Sequence, residues 1–341
     1  MTQPTRVLVT GATGFIASHI VEQLLEKGYL VRGTVRSLSN TAALAPLRAM
    51  PGADERLELV AADLNTDGAF DAAARECTYI LHTASPYVLN VSDPQKDLVD
   101  PAVNGTLRVL SACRQSPGIT RVVLTSSMAA ITDEPTSDHA LTEADWNTKS
   151  TLHRNAYYLS KTLAERAAWD FMTSEAPHFS LVAINPFMVI GPSFTPVLNT
   201  SNQVFADLCK GAYPGIMRLA WGFVDVRDVA DAHIRAMEQP HASGRYLCAG
   251  DVVTMRELVT LLRYNGWGEG AKLPTMSLPD WVVKLSSYTQ KLGVGSYLRS
   301  HVGRTPRYSA AKIQRELGIT FRPAATAILD TMHDLKRWGH I

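Results

Sequence analysis

Residues 6–20 have the sequence RVLVTGATGFIASHI, in which a short apolar run meets a turn punctuated by glycines. The run from Val7 to Val9 is apolar and β-branched at both ends, as in a buried strand. The apolar residues Ile16, Ile20 and Leu24 after the turn recur at helical spacing. The pattern therefore predicts a strand, a tight turn and a helix, in that order.

The residues of this turn suit the binding of phosphate groups. Gly11 permits a tight turn that a side chain would obstruct, and Gly14 lets the backbone approach a pyrophosphate. Ala17 is small enough for close packing of the helix on the strand, and the helix N-terminus offers N–H groups to an anion. The predicted phosphate-binding set is Gly11, Thr13, Gly14, Phe15 and Ile16. Because ordinary strand-turn-helix connections share this pattern, the turn alone is a weak signal.

Size and charge limit the classes of partner. The chain has 341 residues, is 46% apolar and carries a formal net charge of +1. It is long enough for a sizeable core, but its charge provides no broad field for nucleic acid or an anionic membrane. We therefore expect a small-molecule partner, no nucleic acid and no membrane, with the protein a monomer or homodimer.

Cysteine spacing and the absence of a long apolar run bear on compartment and metal binding. The cysteines are far apart in the sequence and form no close pair typical of a metal or dithiol site. They are Cys77, Cys113, Cys209 and Cys248. No run approaches a membrane span, and the N-terminus leads directly into the first strand. We expect reduced thiols, no metal and a cytoplasmic location.

Strand and helix patterns alternate through the first half of the chain. The predicted strands after the first are Tyr29–Val35, Leu57–Ala61, Tyr79–His82, Arg121–Thr125 and Ser180–Ile184. A long helix is predicted over Asp93–Gln115, and another begins near Asn155. This alternation predicts an α/β fold with a doubly wound parallel sheet of the Rossmann type.

The composition changes beyond Gly191, where glycine, proline and small polar residues are scattered up to position 222. Regular patterns return as a strand at 223–226, a helix at 227–237 and a strand at 244–248. We predict a Rossmann domain over 1–190 plus about 222–250. A smaller, mostly helical substrate-binding lobe takes about 191–221 and 251–341, with helices near 254–265, 279–292, 309–317 and 323–338.

The end of the second strand indicates which dinucleotide fits. A site for NAD usually places an acidic residue there for the ribose 2'-hydroxyl, whereas this chain has Arg36, whose guanidinium suits a 2'-phosphate. The sequence therefore favours NADP(H), although a solvated surface arginine is the alternative. Asp63 and Leu64 are candidates for contact with adenine, and Asp63 has turn capping as its simpler role.

Small residues follow the fourth strand, where ligands bind in open α/β sheets. Thr83, Ala84 and Ser85 are expected to let a cofactor lie across this strand end. His82 precedes them within the strand, so we interpret it as a core histidine rather than an acid or base.

A second chemical signal lies in the helix predicted from about Asn155. Tyr157 and Lys161 are four residues apart, so their side chains share one helix face, separate from an apolar stripe formed by Leu159, Leu163, Ala167 and Phe171. A nearby ammonium lowers the pKa of a tyrosine and makes it a usable proton donor in reduction. Ser127, at the end of the fifth strand, can donate to an oxygen that gains negative charge; Ser126 is its close competitor.

Together these motifs resemble the extended short-chain dehydrogenase/reductase superfamily from Thr10 to about Ala249. Within it the chain is similar to the branch of dihydroflavonol reductase, cinnamoyl-CoA reductase and methylglyoxal (isovaleraldehyde) reductase. The segments with this closer similarity are HTASP at 82–86, PAVNGT at 101–106, LTEADW at 141–146, Asn185-Pro186 and FVDVRDVA at 223–230. The resemblance implies that Ser127, Tyr157 and Lys161 are catalytic and that Asn104 is a structural fourth member.

The same resemblance implies that Pro186 and Phe187 contact the nicotinamide end of the cofactor. Lys161 can also hydrogen-bond the nicotinamide ribose, and Tyr157 is predicted to contact the cofactor. Two features depart from the pattern. Ala17 replaces the third glycine, and relatives often add a lysine after the arginine of the second strand, whereas none occurs between Lys27 and Lys96 here. The preference for NADP over NAD is therefore expected to be moderate.

The sequence supports the hypothesis of an NADPH-dependent carbonyl reductase. Hydride passes to an aldehyde, ketone or diketone, Ser127 polarises the carbonyl, and Tyr157 gives the proton. The expected substrate pocket is apolar or aromatic, formed by Ser85, Tyr87, Met128, Phe187 and Trp221. A nucleotide-sugar epimerase or dehydratase that retains NAD, and a non-catalytic NADP-sensing protein, are the alternatives.

Overall fold

The computed structural model describes residues 5–85, 91–136 and 138–341. Within these ranges, seven parallel strands form the main sheet in the order β3-β2-β1-β4-β5-β6-β9. They are β1 (Arg6–Thr10), β2 (Leu30–Val35), β3 (Leu57–Ala61), β4 (Tyr79–His82), β5 (Arg121–Thr125), β6 (Ser180–Pro186) and β9 (Gly244–Cys248). The predicted doubly wound parallel sheet is confirmed.

Helices cover both faces of this sheet. They are α1 (Phe15–Glu26), α2 (Thr41–Arg48), α3 (Ala53–Arg56), α4 (Asp71–Ala74), α5 (Asp100–Arg114), α6 (Ala156–Glu175) and α8 (Val226–Glu238). The side chains of β1 alternate between two cores: Val7 and Val9 pack in the cluster that includes α1 and α8, and Leu8 packs in the cluster that includes α5. Burial on both faces explains why the strand sequence is continuously apolar.

The helix predicted over Asp93–Gln115 is interrupted in the structure. A π-helical turn at Gln95–Val99 leads into α5, which has a proline at its start. Pro101 has no N–H to donate to the preceding turn, so the regular hydrogen-bond pattern cannot run through it.

The described residues also form a second, smaller sheet. It contains β7 (Met188–Ile190), β8 (Ala220–Asp225) and β10 (Val252–Thr254), with β8 in the middle. The predicted strand at 223–226 belongs to β8 of this sheet and not to the main one, whereas α8 and β9 do return to the main sheet. Local pattern predicts a strand but does not specify its partner, and β8 is buried at every position in the smaller sheet.

Six further helices lie within the described residues. They are α7 (Thr200–Lys210), α9 (Met255–Tyr264), α10 (Asp280–Ser286), α11 (Leu292–His301), α12 (Ala311–Leu317) and α13 (Ala324–Arg337). Helix α7 was not predicted, although Asn199 caps it by accepting from the Asn202 N–H and Gly211 ends it. The helix predicted at 279–292 is wrong in extent, because the chain turns between α10 and α11. There Gly295 packs so closely that a Cβ would lie 2.2 Å from the Ser287 carbonyl oxygen.

Among the described residues, no helix is both long enough and apolar enough to cross a membrane.

Candidate active site

The glycine turn packs directly on the segment that follows β4. Gly11 has a φ of +67°, and a Cβ placed on it would lie 3.1 Å from the Cβ of Ala84. The Gly14 N–H donates to the Gly11 carbonyl at 2.8 Å, and the first turn of α1 has no side-chain cap. The turn thus has the tight backbone expected of it, with the start of a helix directed at the same edge of the sheet.

The buried hydroxyl of Thr10 links the end of β1 to the end of β4. Its hydroxyl accepts from the N–H groups of Thr83 and Ala84 at 3.1 and 3.0 Å and lies 2.8 Å from Nδ1 of His82. Because two N–H groups point at this hydroxyl, its own hydrogen is directed at the imidazole. Burial lowers the pKa of His82 to about 3, so this histidine is neutral, as expected of a core residue.

Arg36 lies exposed just after β2, and no described residue forms an ion pair or hydrogen bond with its side chain. The neighbouring hydroxyls of Ser37 and Ser39 are 2.7 Å apart. The other arginine of this strand, Arg32, is buried and pairs with Glu58 at 2.8 Å. Arg36 therefore offers its guanidinium to solvent at the position where a 2'-phosphate is predicted.

Asp63 caps the turn that follows β3, which is the simpler of the two roles expected for it. One oxygen of Asp63 accepts from the Asn65 N–H at 2.8 Å. Leu64 packs against α5, where a Cβ on Gly105 would lie 3.2 Å from the Leu64 Cβ. The other oxygen of Asp63 is not used by that turn, and the contact of both residues with adenine stays a prediction.

Tyr157 and Lys161 lie one turn apart at the beginning of α6. The Lys161 ammonium is 6.0 Å from the centroid of the Tyr157 ring and donates to the Ser85 hydroxyl at 3.0 Å. Tyr157 is 44% exposed, so its phenol can be reached from solvent. Burial lowers the pKa of Lys161 to about 8, and the negative charge of Glu165 opposes this shift. The structure thus brings Tyr157, Lys161 and Ser85 together.

The two serines after β5 differ in how their hydroxyls are used. Ser126 is buried and donates to Glu165 at 2.5 Å. Ser127 is half-buried, and its oxygen accepts from the Ala129 N–H at 3.1 Å. Because that contact uses a lone pair, the Ser127 hydrogen is available to a ligand, whereas the Ser126 hydrogen is already donated. The catalytic role of Ser127 stays a prediction.

The buried face of α6 differs from the apolar stripe seen in the sequence. Leu163 of that stripe is exposed, whereas Ser160, Ala164, Glu165 and Ala168 are buried. Small side chains let α6 pack closely, and Glu165 is tolerated there because Arg245 of β9 donates to it at 2.6 Å. Neither member of this pair was predicted from the sequence; the position of Glu165 one turn after Lys161 was the available signal.

The predicted substrate-pocket residues are placed differently from one another. Met128 and Trp221 are buried in separate apolar clusters, and the Trp221 indole N–H donates to the Tyr297 hydroxyl at 2.8 Å. Phe187 is half-buried and packs against both clusters, with its ring 6.1 Å from that of Tyr308. Tyr87 lies outside the described residues. Tyr308, which was not predicted, is the aromatic neighbour of Phe187 in this part of the lobe.

Two further residues were implied by resemblance to a family. Asn104 of α5 is exposed, and Pro186 is buried as the last residue of β6, paired in register with Cys248. Neither position excludes the implied role, and both roles stay predictions. Across the described ranges, no group of three or more His, Cys, Asp or Glu residues could hold a metal ion.

Comparison with known proteins gives a consistent picture. The profile of the NAD dependent epimerase/dehydratase family matches residues 7–249. Cinnamoyl-CoA reductase CAD2 of Medicago truncatula is 39% identical over 339 residues, which cover 97% of this chain and 95% of the relative. Tetraketide alpha-pyrone reductase 1 of Arabidopsis thaliana is 37% identical over 98% of this chain and 97% of the relative. The crystal structure of yeast methylglyoxal/isovaleraldehyde reductase Gre2 complexed with NADPH has a TM-score of 0.82, with 30% identity over 99% of this chain and 100% of that one.

Proposed function

Because this chain belongs to the NAD dependent epimerase/dehydratase family, we propose that it is an NADPH-dependent reductase of aldehydes, ketones or diketones. Relatives named as reductases and the NADPH complex of a structural neighbour support an oxidoreductase that uses NADP(H). The assignment of carbonyl substrates and of the catalytic residues is supported chiefly by one observation. Lys161 stands beside Tyr157 and reaches Ser85 at the carboxyl end of β4, where ligands of open α/β sheets bind.

The residues on this edge of the sheet fit NADP(H). The close approach of Gly11 to Ala84 and the uncapped start of α1 leave a cradle that a side chain would fill. The exposed guanidinium of Arg36 suits the 2'-phosphate. When bound, the cofactor supplies a hydride to the carbonyl carbon. The remaining contacts proposed for it are Thr13, Gly14, Phe15, Ile16, Asp63, Leu64, Thr83, Ser85, Pro186 and Phe187.

Three side chains supply the rest of the chemistry. Ser127 donates its available hydrogen to the substrate oxygen and so stabilises the negative charge that develops there. Tyr157 gives its phenolic proton to the same oxygen, which becomes the hydroxyl of the product. The Lys161 ammonium favours the phenolate that remains on Tyr157 and orients the ribose.

The proposed substrate is a hydrophobic small molecule. Phe187 and Tyr308 present aromatic surface between the two apolar clusters, and a net charge of +1 provides no field for a polyanionic partner. We extend the proposal to a cytoplasmic location and to a monomer or homodimer.

A carbonyl panel with both coenzymes tests the proposal. The purified chain is mixed with NADPH or NADH and with aliphatic aldehydes, aromatic ketones and diketones, and the loss of reduced-coenzyme absorbance is followed. Turnover with NADPH in excess of turnover with NADH is expected for hydrophobic members of the panel. Purified protein that carries tightly bound NAD and turns over none of them would instead favour the epimerase or dehydratase chemistry.

A further inference from the structure

A buried carboxylate lies beneath the proposed catalytic residues. The Glu165 side chain is fully buried, and its two oxygens accept from four side chains. Ser126 donates at 2.5 Å, Asn185 at 2.8 Å and Trp169 at 3.2 Å, while Arg245 donates from Nε at 2.6 Å and from Nη2 at 3.2 Å. Hydrogen bonds to both oxygens offset the cost of removing this carboxylate from water.

These contacts join the end of β5 to the helix that holds Tyr157 and Lys161. Ser126 is bound directly to Glu165, and Asn185 donates both to Glu165 and to the Ser127 carbonyl at 3.1 Å. Glu165 belongs to α6, one turn after Lys161. The backbone of Ser127 is therefore positioned relative to α6 by one carboxylate and one amide.

Arg245 holds Glu165 from the opposite side. Its guanidinium lies 3.7 Å from the centroid of the Trp146 ring and donates to the carbonyls of Glu143 and Asp145 at 3.0 and 2.6 Å. Every donor nitrogen of Arg245 thus has a partner. The guanidinium is therefore held by backbone carbonyls and the Trp146 ring as well as by Glu165.

Glu165 and Lys161 also line one small cavity, together with His82, Ser85 and Ser126. The charged or titratable groups around the ammonium are therefore Glu165 on its own helix, Tyr157 one turn before it, His82 from β4, and Arg245 behind Glu165. His82 is neutral above pH 4, because burial lowers its pKa to about 3. Glu165 is the acidic group of this set, and as an i,i+4 neighbour of Lys161 on α6 it has its Cβ about 6 Å from the Lys161 Cβ.

We propose that Glu165, held by Arg245, is a positioning residue that fixes Ser126 and Ser127 against α6 and favours the charged form of Lys161. The inference rests on the proposed function for its catalytic consequence. Its physical content, however, concerns the ammonium of Lys161 and can be measured without turnover. Removing the charge of Glu165 leaves Arg245 as an unpaired cation, and removing Arg245 leaves Glu165 as an unpaired anion.

The test is competitive acetylation of Lys161 over a range of pH, read by peptide mass spectrometry, because only the uncharged amine reacts. The quantity compared is the midpoint, the pH at which Lys161 is acetylated at half its maximal rate. One elementary charge at about 6 Å, with an effective dielectric constant of about 20–40, moves this midpoint by roughly one to two pH units. Glu165→Gln is expected to lower the midpoint by that amount. Arg245→Gln is expected to raise it by less, because Arg245 lies behind Glu165, and the double variant is expected to lie between Glu165→Gln and the wild type.

Asp228→Asn is the matched control, because Asp228 is also a buried carboxylate paired with an arginine, in this case Arg322. It should leave the Lys161 midpoint unchanged. Should Glu165→Gln not fold, as judged by circular dichroism, Arg245→Gln still tests the sign of the effect. Equal midpoints in the wild type, in Glu165→Gln and in Arg245→Gln would overturn the inference.

Turnover measured on the same samples separates the two proposals. If the midpoints move as stated but the wild type reduces no carbonyl, the proposed function fails and the positioning role stands. If the wild type reduces carbonyls and the midpoints do not move, the positioning role fails alone. Where both hold, Glu165→Gln is expected to shift the alkaline fall of kcat/KM to lower pH, whereas a purely structural defect would lower activity equally at every pH.

Discussion

Replacing Arg36 with alanine separates recognition of NADPH from recognition of NADH. Arg36 is exposed at the end of β2, and no described residue competes for its guanidinium. NADPH differs from NADH only in the 2'-phosphate, so the variant should lose affinity for NADPH alone. The proposed contact is an ion-pair hydrogen bond of the kind that guanidinium groups form with phosphates.

The size of the expected loss in NADPH affinity follows from the exposure of Arg36 to solvent. Hydrogen bonds to charged groups are worth about 1.5–3 kcal/mol, and exposure to solvent places this one in the lower half of that range. A loss of about 1.5–2 kcal/mol raises Kd about 10- to 30-fold. The nearby hydroxyls of Ser37 and Ser39 bond to each other at 2.7 Å and can supply only part of the contact.

The assay is titration of the purified protein with each reduced coenzyme, followed by coenzyme fluorescence. Arg36→Ala should raise the Kd for NADPH about 10- to 30-fold and leave the Kd for NADH unchanged. The Kd of Arg36→Lys for NADPH should lie between those of the wild type and Arg36→Ala. Arg75→Ala, which removes an exposed arginine elsewhere on the surface, is the control and should alter neither Kd. An equal loss for both coenzymes, or no loss for NADPH, would refute the assignment of Arg36 to the 2'-phosphate.

Three further predictions concern the backbone and the buried histidines. Gly11→Ala and Gly28→Ala should each destabilise the fold by about 1 kcal/mol, because both glycines have positive φ. Only Gly11→Ala should also weaken NADPH binding, since only Gly11 lies against Ala84. Equal NADPH affinity in the two variants would contradict this. Burial lowers the pKa of His82 to about 3 and of His233 to about 4, so the unfolded chain takes up protons below pH 6.5 that the folded chain does not. Stability should therefore fall on acidification from about pH 6.5 to 4, by up to about 1.4 kcal/mol per pH unit for each histidine, and urea unfolding of His233→Gln should show a shallower dependence. Asn155 has a φ of +50°, so Asn155→Ala should be about 1 kcal/mol less stable than Asn155→Gly in urea unfolding; equal stabilities would show that the φ carries no cost.

The fold was predictable because its signals are local. Val7–Val9 is apolar throughout, and the structure places its alternate side chains in cores on opposite faces of the sheet. The same local pattern could not tell that β8 pairs with β7 and β10, since pairing depends on which buried surface is available. Helix α11 was not predicted because Gly293 and Gly295 have low helix propensity, and Gly295 is the one that lets α11 pack closely on the turn at Ser287.

The candidate site was predictable only where spacing determines geometry. Tyr157 and Lys161 are four residues apart on a helix, so their proximity follows from the sequence. The pair of Glu165 and Arg245 joins residues 80 positions apart, and a glutamate in a helix is ordinarily solvated. Only the three-dimensional structure shows that Ser126 is bound to this carboxylate and that the Ser127 hydrogen is available.

The most direct test of the central claim compares Tyr157→Phe with Tyr158→Phe in NADPH-dependent reduction of the best carbonyl from the panel. The two tyrosines are adjacent on α6, and the second is half-buried with its ring stacked on that of His301, the centroids 5.7 Å apart. Because proton donation by a positioned side chain contributes about 10²- to 10⁴-fold, Tyr157→Phe should lower kcat by that factor with NADPH affinity retained. Tyr158→Phe should keep activity near that of the wild type. Unchanged turnover in Tyr157→Phe would contradict the account.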